Sequence, residues 1–290
     1  MQKINSKLLY PLAGLATLAS CGGGEKAELA KPLNIVYIMT DDHTRQMMSS
    51  YDNRHIETPN LDRIAEGGVL FENAFVCNSI SGPSRAALLT GKHSHKNGKM
   101  DNHTKFDGDQ QTVQQLLKGA GYQTAMIGKW HLDSEPTNFD FWEILPGQGD
   151  YYNPVFITPE GNKNYEGYVT DIITDMSIDW MENERDKEEP FCLFIHHKVA
   201  HRNWMSDTTH LSLYEDKVFE LPGNFYDDYE GRIAAAEQEM SIASDHDMDI
   251  VNDLKMMREG VETRLSGGYI HGTYARMNEA QKAAWDKHYN

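Results

Sequence analysis

Apolar runs of strand length alternate with helical segments along most of this chain, and no other feature limits its fold as strongly. The runs predict strands at Leu33–Met39, Val69–Val76, Gln123–Ile127 and Phe191–Ile195. Helices are predicted from Thr58 onward and at Ser84–Leu89, Val113–Leu117 and Val169–Met181. This alternation predicts an α/β fold with a largely parallel sheet, in which the β-branched run at Leu33–Met39 is a buried parallel strand.

Polar side chains follow three of the predicted strands directly. They are Asp41, Asp42, Lys129, His131, Lys198 and His201. Because ligands of open α/β sheets bind outside the carboxyl ends of the strands, we expect these side chains to meet in one crevice. Beyond the last of them the pattern weakens: Tyr214–Asp228 predicts a loop, and Ile233–Met257 predicts a charged, Met-rich helical stretch.

The first 32 residues predict an export signal and a tether. Two lysines precede the apolar stretch Leu8–Ala19, which is too short to span a bilayer as a mature helix. The run from Leu18 to Cys21 resembles a bacterial lipobox, which implies a signal peptide at 1–20 and acylation of Cys21; a plain signal peptide is the alternative. Residues 21–32 predict a flexible tether, so we expect residues 33–290 to form a domain anchored in the bacterial cell envelope, periplasmic or surface-exposed.

The formal net charge of −17 limits the partners. An acidic surface repels nucleic acid and anionic lipid, so we expect no nucleic acid, and membrane contact only through the lipid anchor. Sulfated or phosphorylated substrates are repelled too, so a site for them must supply its own cations. Beyond Cys21 only Cys77 and Cys192 remain, too few for a disulfide framework, and Cys192 is placed like a core residue.

The most specific motif is the eleven-residue run Ser81–Gly91, Ser-Gly-Pro-Ser-Arg-Ala-Ala-Leu-Leu-Thr-Gly. It resembles the sulfatase signature, in which Ser or Cys, any residue, Pro, Ser and Arg precede a short helix ending in Thr-Gly. The resemblance implies an alkaline-phosphatase-like α/β fold, oxidation of Ser81 to formylglycine by a maturation enzyme, and support of that group by Arg85. Cys77 does not fit, because no Pro follows two residues later. Taken without the longer run, Ser81 would be a turn or N-cap serine and Arg85 a basic helix-cap residue.

A hydrated aldehyde suits sulfate-ester hydrolysis better than a serine hydroxyl does. A serine that attacked sulfate would become a stable sulfate ester. The hydrate carries two hydroxyls on one carbon: one attacks sulfur as the alcohol leaves, and the other then loses its proton, expels sulfate and regenerates the aldehyde. Such a residue 81 would be a covalent catalyst with its own release step.

The adjacent carboxylates of Asp41 and Asp42 repel each other and together favour a cation. Carboxylate oxygens are hard ligands that suit Ca²⁺ or Mg²⁺. By the family resemblance both aspartates bind Ca²⁺, and the oxygen of the modified Ser81 completes that side of the site. An acidic turn without a metal is the alternative for the two aspartates alone.

The run Gly128–Leu132 supplies two further candidates by the same resemblance. Lys129 would bind the sulfate, as a point charge suits sulfate oxygens, and His131 would contact the formylglycine. The alternative is a surface lysine and a buried histidine beside Trp130.

The run His196–Trp204 resembles the family's Lys-Ala-Pro-His segment, although Val199 and Ala200 replace the central pair. The resemblance implies that Lys198 binds substrate and that His201 binds substrate and protonates the leaving alkoxide, a role that imidazole suits near neutral pH. Packing at a strand end is the alternative for His196, His197 and Lys198.

The resemblance extends from Asp41 to His201, and Met277–Asp286 is similar to a mid-protein segment of bacterial N-acetylglucosamine-6-sulfatase-like enzymes. It implies sulfated glycans as substrates, with 6-O-sulfated glucosamine as the candidate unit. Family members continue to a strand that ends in two more metal ligands; Ser244-Asp245-His246 mimics that strand end, but acidic residues precede it instead of an apolar strand. We therefore expect a missing C-terminal subdomain, an exposed apolar sheet edge and an inactive chain. A phosphomonoesterase or phosphodiesterase of the same fold and a non-catalytic glycan-binding remnant are the alternatives.

Overall fold

The computed structural model describes residues 31–239, 248, 250–256 and 268–289. The strands assigned there are β1 (Ile35–Met39), β2 (Gln123–Lys129), β3 (Phe141–Leu145), β4 (Val155–Thr158), β5 (Gly161–Asn164) and β6 (Phe191–His196). They form one sheet in the order β1-β6-β2-β3-β4-β5. The first four strands of that order run parallel, and β4 and β5 join antiparallel at the far edge. The prediction of an α/β fold with a largely parallel sheet is confirmed.

Helices lie before and between the strands and near the end of the chain. They are α1 (Pro59–Gly67), α2 (Ser81–Thr90), α3 (Ser94–Asn97), α4 (Val113–Gly119), α5 (Val169–Asp179), α6 (Ile233–Glu237), α7 (Gly268–Arg276) and α8 (Glu279–Tyr289). The predicted end of α2 at Gly91 is confirmed: this residue has φ +64°, the left-handed conformation that glycine adopts most readily after a helix. The helix begins at Ser81, three residues earlier than predicted.

The core lies on both faces of the central strands. Every residue of β6 is buried, and successive side chains enter opposite faces, as the strand geometry requires. Leu193 packs on one face in a cluster with Ile173 of α5 and Trp285 of α8. Phe194 packs on the other face with Leu89 of α2. The sheet is therefore covered by helices on both sides at the strands that end in the predicted polar residues.

The strand β1 is not buried, contrary to the prediction. It pairs only with β6 among the described strands, so its outer side has no neighbour in the sheet. Ile35, Val36 and Ile38 are 37%, 44% and 52% exposed. The predicted exposed apolar sheet edge is thus present.

Two further predictions of secondary structure were wrong. Val69–Val76 forms no strand: its backbone finds no ladder partner, and side chains bind its carbonyls instead, Arg45 that of Glu72 and Tyr51 that of Phe71. In the stretch 233–257 only α6 is helical among the described residues, and residues 250–254 form turns. Ser244–His246 lies outside the described residues. Tyr214–Asp228 is a loop as predicted.

No helix within the described ranges combines the length and the apolar character needed to cross a bilayer. Cys21 lies outside those ranges. Cys192 is buried and Cys77 exposed, and both thiols are free, as expected.

Candidate active site

The carboxyl ends of β1, β2 and β6 lie side by side at one end of the sheet, and the six predicted polar residues lie there. Asp41 follows β1, and its main-chain N–H donates to the carbonyl of Val199, 3.0 Å away, in the loop after β6. Lys129 is the last residue of β2, paired in register with Leu145 of β3. The parallel register thus sets residues from distant parts of the chain side by side.

Ser81 is the first residue of α2 and not its N-cap. The N-cap position is Ile80, and no side chain caps this helix. Instead, the Ser81 hydroxyl accepts a hydrogen bond from Nε of Arg85 at 3.3 Å and lies 3.1 Å from Nδ1 of His131. The hydroxyl therefore belongs to the cluster at the carboxyl ends of the strands and does not cap the helix.

Arg85 connects four parts of the site. Its side chain is 3% exposed. Besides the bond to Ser81, Nη2 donates to Oδ2 of Asp41 at 3.3 Å, and Nη1 donates to the carbonyl of Lys129 at 2.6 Å. Nη1 also lies 3.0 Å from Nδ1 of His196. A planar guanidinium with several fixed donors suits this position, which a lysine would not fill. The helix-cap alternative for Arg85 does not hold.

The carboxylate of Asp41 also forms a buried ion pair with the ammonium of Lys129. Burial alone would raise the pKa of Asp41, but Lys129 and Arg85 outweigh it and hold the pKa below its ordinary value. Burial lowers the pKa of Lys129, and Asp41 opposes that shift. Since Lys129 is 0% exposed, the surface alternative for this lysine was wrong.

Asp42 faces a different environment from its neighbour. Its backbone has φ +53°, and its side chain is 61% exposed. Oδ2 lies 3.8 Å from Nε2 of His201. Asp42 shares a cavity of about 130 Å³ with Asp41, Ser79, Ser81 and Ser84. Carboxylate and hydroxyl oxygens are the donors that a hard cation such as Ca²⁺ accepts, so this set fits the metal in kind.

These residues supply fewer oxygen ligands than Ca²⁺ usually takes. No group of three or more His, Cys, Asp or Glu side chains suited to a metal occurs within the described ranges. Ca²⁺ takes roughly six to eight oxygens. Asp41, Asp42 and residue 81 supply part of such a shell.

Two histidines of this cluster, His131 and His201, are held neutral near pH 7. Burial, Lys129 and Arg85 lower the pKa of His131 to about 4. Burial and then Lys129 lower the pKa of His201, whose Nδ1 lies 2.7 Å from the carbonyl of Arg202. A carbonyl only accepts, so Nδ1 of His201 carries the proton, and Nε2 faces Asp42. To act as an acid, His201 must gain a proton at Nε2 against its lowered pKa.

Lys198 lies at the rim of a larger cavity next to this cluster. The cavity has a volume of about 630 Å³ and is lined by Gln148, Asp150, Tyr151, Lys198, His201 and Arg202, among others. The Lys198 ammonium lies 4.7 Å from the ring centre of Tyr151. Burial and the neighbouring Lys129 lower its pKa to about 8. Lys198 thus offers a positive charge to an anion that enters the cavity.

His196 and His197 play supporting parts. His196 is 1% exposed, and burial with Arg85 lowers its pKa well below the ordinary value, so its ring is neutral. Its Nδ1 lies 3.0 Å from Nη1 of Arg85 and 3.2 Å from the carbonyl of Lys129. The main-chain N–H of His197 donates to the carbonyl of Met39 at 2.8 Å, which ties β6 to the end of β1. Both fit the packing alternative; Lys198 is also buried, at 4% exposed, and in addition lines the larger cavity.

Sequence reasoning missed Gln148, whose Oε1 lies 2.5 Å from Nζ of Lys129. No signal marked it, because it sits in a short Gly-Gln-Gly turn after a strand that the hydrophobic pattern did not predict. The two neighbouring glycines indicate a tight turn there, but they do not indicate what the side chain of Gln148 contacts.

Comparison with known proteins agrees with this geometry. The family model described as Sulfatase matches residues 33–278. N-acetylglucosamine-6-O-sulfatase of Bacteroides thetaiotaomicron is 49% identical over all of this chain and 52% of its own length. Mouse N-acetylgalactosamine-6-sulfatase is 28% identical, with 82% of this chain and 52% of that protein covered.

A solved structure described as a complex with its substrate D-glucosamine-2-N,6-O-disulfate superposes with a TM-score of 0.82 at 50% identity, covering 89% of this chain and 52% of the other. The fold is therefore the alkaline-phosphatase-like α/β fold of sulfatases. The chain belongs to the sulfatase family. It spans about half the length of the curated relatives that it matches.

Proposed function

We propose that this chain carries the nucleophile end of a sulfuric ester hydrolase, in which residue 81 acts as formylglycine. The observation that carries the proposal is the position of the Ser81 hydroxyl, 3.3 Å from Arg85 Nε and 3.1 Å from His131 Nδ1. A hydroxyl between a cation and a neutral imidazole can be oriented and deprotonated for attack. A maturation enzyme must convert the residue, which makes that enzyme an obligatory partner.

The metal in this proposal is Ca²⁺, with Mg²⁺ the less suitable choice. Asp41, Asp42 and the residue-81 oxygen would hold it, at the cavity that they share. When bound, it would offset the two carboxylates and add positive charge near the sulfate oxygens. Larger, flexible coordination by oxygen favours Ca²⁺ over the strict octahedral demand of Mg²⁺.

The chain's own cations would bind the sulfate group. Lys129 and Lys198 both lie at the carboxyl ends of the strands, and both meet Gln148. They supply the local charge that a protein of net charge −17 needs for an anionic substrate. His201 would protonate the leaving oxygen from Nε2, and Arg85 would hold residue 81 while Asp41 keeps Arg85 in place.

The proposed substrate is a 6-O-sulfated glucosamine unit of a glycan. The names of the relatives support this choice, since one is an N-acetylglucosamine-6-O-sulfatase and one solved neighbour holds a 6-O-sulfated glucosamine. The cavity of about 630 Å³ beside Lys198 and His201 is large enough for a sugar unit. We further propose that Cys21 carries a lipid anchor at the cell envelope.

The test is turnover after conversion of Ser81, with Ca²⁺ present. The assay uses the converted chain extended with the C-terminal half of its N-acetylglucosamine-6-O-sulfatase relative, because this chain covers 52% of that protein. The extended chain should release sulfate from glucosamine 6-sulfate or from an activated aryl sulfate, its Ser81→Ala variant should not, and the chain without the extension should show little turnover. Preference for aryl phosphate would instead indicate a phosphoesterase. Binding of the sugar without any turnover, by the extended chain with residue 81 converted, would indicate a glycan-binding protein.

A further inference from the structure

Gln148 contacts both lysines of the site and has no part in the proposed mechanism so far. It lies in the turn after β3 between Gly147 and Gly149, whose φ angles of +51° and +71° favour glycine. A Cβ on Gly149 would also lie 2.7 Å from Cδ1 of Leu145. The two glycines therefore permit this tight turn, which places residue 148 beside the carboxyl ends of β2 and β6.

The contacts of Gln148 fix the orientation of its amide. Its Oε1 lies 2.5 Å from Nζ of Lys129, and its main-chain carbonyl accepts a hydrogen bond from Nζ of Lys198 at 3.2 Å. An ammonium can only donate, so the oxygen of the amide must face Lys129. The Nε2 group on the other side of the planar amide then points away from that lysine. Gln148 lines the same cavity as Lys198 and His201.

We infer that Gln148 is a substrate-binding residue whose Nε2 donates a hydrogen bond to an oxygen of the bound sulfate group. The inference rests on the proposed function and deepens it, because it adds a neutral donor to the two cationic ones. A sulfate ester has acceptor oxygens only, so each group around it must donate. Lys129 fixes the orientation of the Gln148 side-chain amide, so the N–H groups of that amide point in a fixed direction.

A weaker role would let Gln148 act only by holding Lys129. Gln148→Met and Lys129→Met, alone and combined, separate the two roles, since Met keeps much of the length and removes the polar atoms. If Gln148 donates directly, Gln148→Met weakens sulfate binding about tenfold or more when Lys129 is present, and it still weakens binding, by a smaller factor, when Lys129 is absent. If it acts only through Lys129, the substitution has no effect once Lys129 is gone.

The full chain is titrated with sodium sulfate. Calorimetry measures the affinity, and the ¹⁵N–¹H signals of the side-chain amides report which amides are affected. The two side-chain N–H signals of Gln148, assigned through their bonded connection to the Gln148 backbone, should shift when sulfate is added to the unaltered chain, so this readout does not depend on a variant that folds. Gln115→Met is the matched control, because Gln115 is exposed on α4. Its affinity for sulfate should equal that of the unaltered chain.

Three results would overturn the inference: no sulfate binding by the unaltered chain, an unmoved Gln148 amide, or unchanged affinity in Gln148→Met. The proposed substrate fails separately. Sulfate binding that depends on Gln148, without preference for glucosamine 6-sulfate over galactose 6-sulfate, would uphold the role of Gln148 and reject the sugar.

Discussion

Asp41 and Asp42 are adjacent in the chain, yet the Asp41 side chain is 7% exposed and that of Asp42 is 61% exposed. Asp41 balances the charge of two buried cations, Lys129 and Arg85, while Asp42 faces the solvent side of the cavity. The two carboxylates would share a metal, but only one of them also stabilises the fold.

Asp41→Asn should therefore destabilise the chain by about 3–5 kcal/mol, since it leaves two buried cations without their partner. Asp42→Asn should lower Ca²⁺ affinity with little change in the free energy of unfolding. Urea denaturation and calcium titration measure the two effects. Equal losses of stability in both variants would contradict the distinction.

Sulfate binding should weaken as the pH rises through about 8. The folded pKa of Lys198 is lowered to about 8 by burial and by Lys129, so its charge is present below that pH and lost above it. Arginine stays charged over this whole pH range, so sulfate binding by Lys198→Arg should not weaken near pH 8. Lys198→Met should bind weakly with no step near pH 8. Calorimetric titrations from about pH 6 to about pH 9, on either side of that pKa, measure the profile.

Ser81 should be converted to formylglycine when the chain is expressed with an anaerobic maturation enzyme. The mass of the peptide that contains Ser81 should fall by two hydrogens, and that of Ser81→Ala should not. An intact serine under those conditions would count against residue 81 as the nucleophile. Cys77 in the same region serves as an internal control, because its thiol should stay unmodified.

Gly128→Ala should prevent correct pairing of β2 with β6. Gly128 has φ +106°, and an added Cβ would lie 2.1 Å from the carbonyl oxygen of His196. We expect a loss of more than about 2 kcal/mol in stability. Gly119→Ala is the control: Gly119 ends α4 with open space around it, so alanine should leave stability unchanged or raise it. Thermal unfolding of both variants decides the matter.

The apolar edge at β1 should cause association that depends on concentration, because an unpaired strand edge is a template for further pairing. Ile38→Lys places a charge on that edge and should reduce association in sedimentation experiments. Leu116→Lys changes a leucine of similar exposure on α4, 55% against 52%, and should have little effect. If both lysines act alike, general surface polarity and not the edge is responsible.

The sequence predicted the parts of the fold in which hydrophobic pattern and position agree. Phe191–Ile195 is uniformly apolar and proved to be a buried central strand, whereas Leu33–Met39 has the same pattern and lies at an edge. Pattern alone cannot report how many neighbours a strand has. Phe141–Leu145 escaped prediction because Glu143 interrupts it; in the fold, Lys163 and Tyr165 satisfy that buried carboxylate.

The candidate site was predictable where a motif marked it. Ser81, Arg85 and Lys129 stand in specific runs, and the structure joins them through the Arg85 guanidinium. Gln148 stands in no such run, and its importance comes from a turn whose direction only the folded chain reveals. The environment that separates Asp41 from Asp42 is likewise set by long-range contacts.

The guanidinium of Arg85 donates hydrogen bonds to Ser81, to Asp41 after β1 and to the end of β2, and it lies beside the end of β6. The same side chain thus orients Ser81 and connects the strand ends, so a substitution that displaces it would disturb both the site and the sheet. Directed evolution toward a chosen sulfated sugar therefore has to work at the rim, in the turn at 146–151 and the loop at 199–204, with Gln148 and His201 left unchanged. Libraries confined to those two segments should yield altered sugar preference in folded proteins, whereas libraries at Arg85 and its partners should yield mostly insoluble ones.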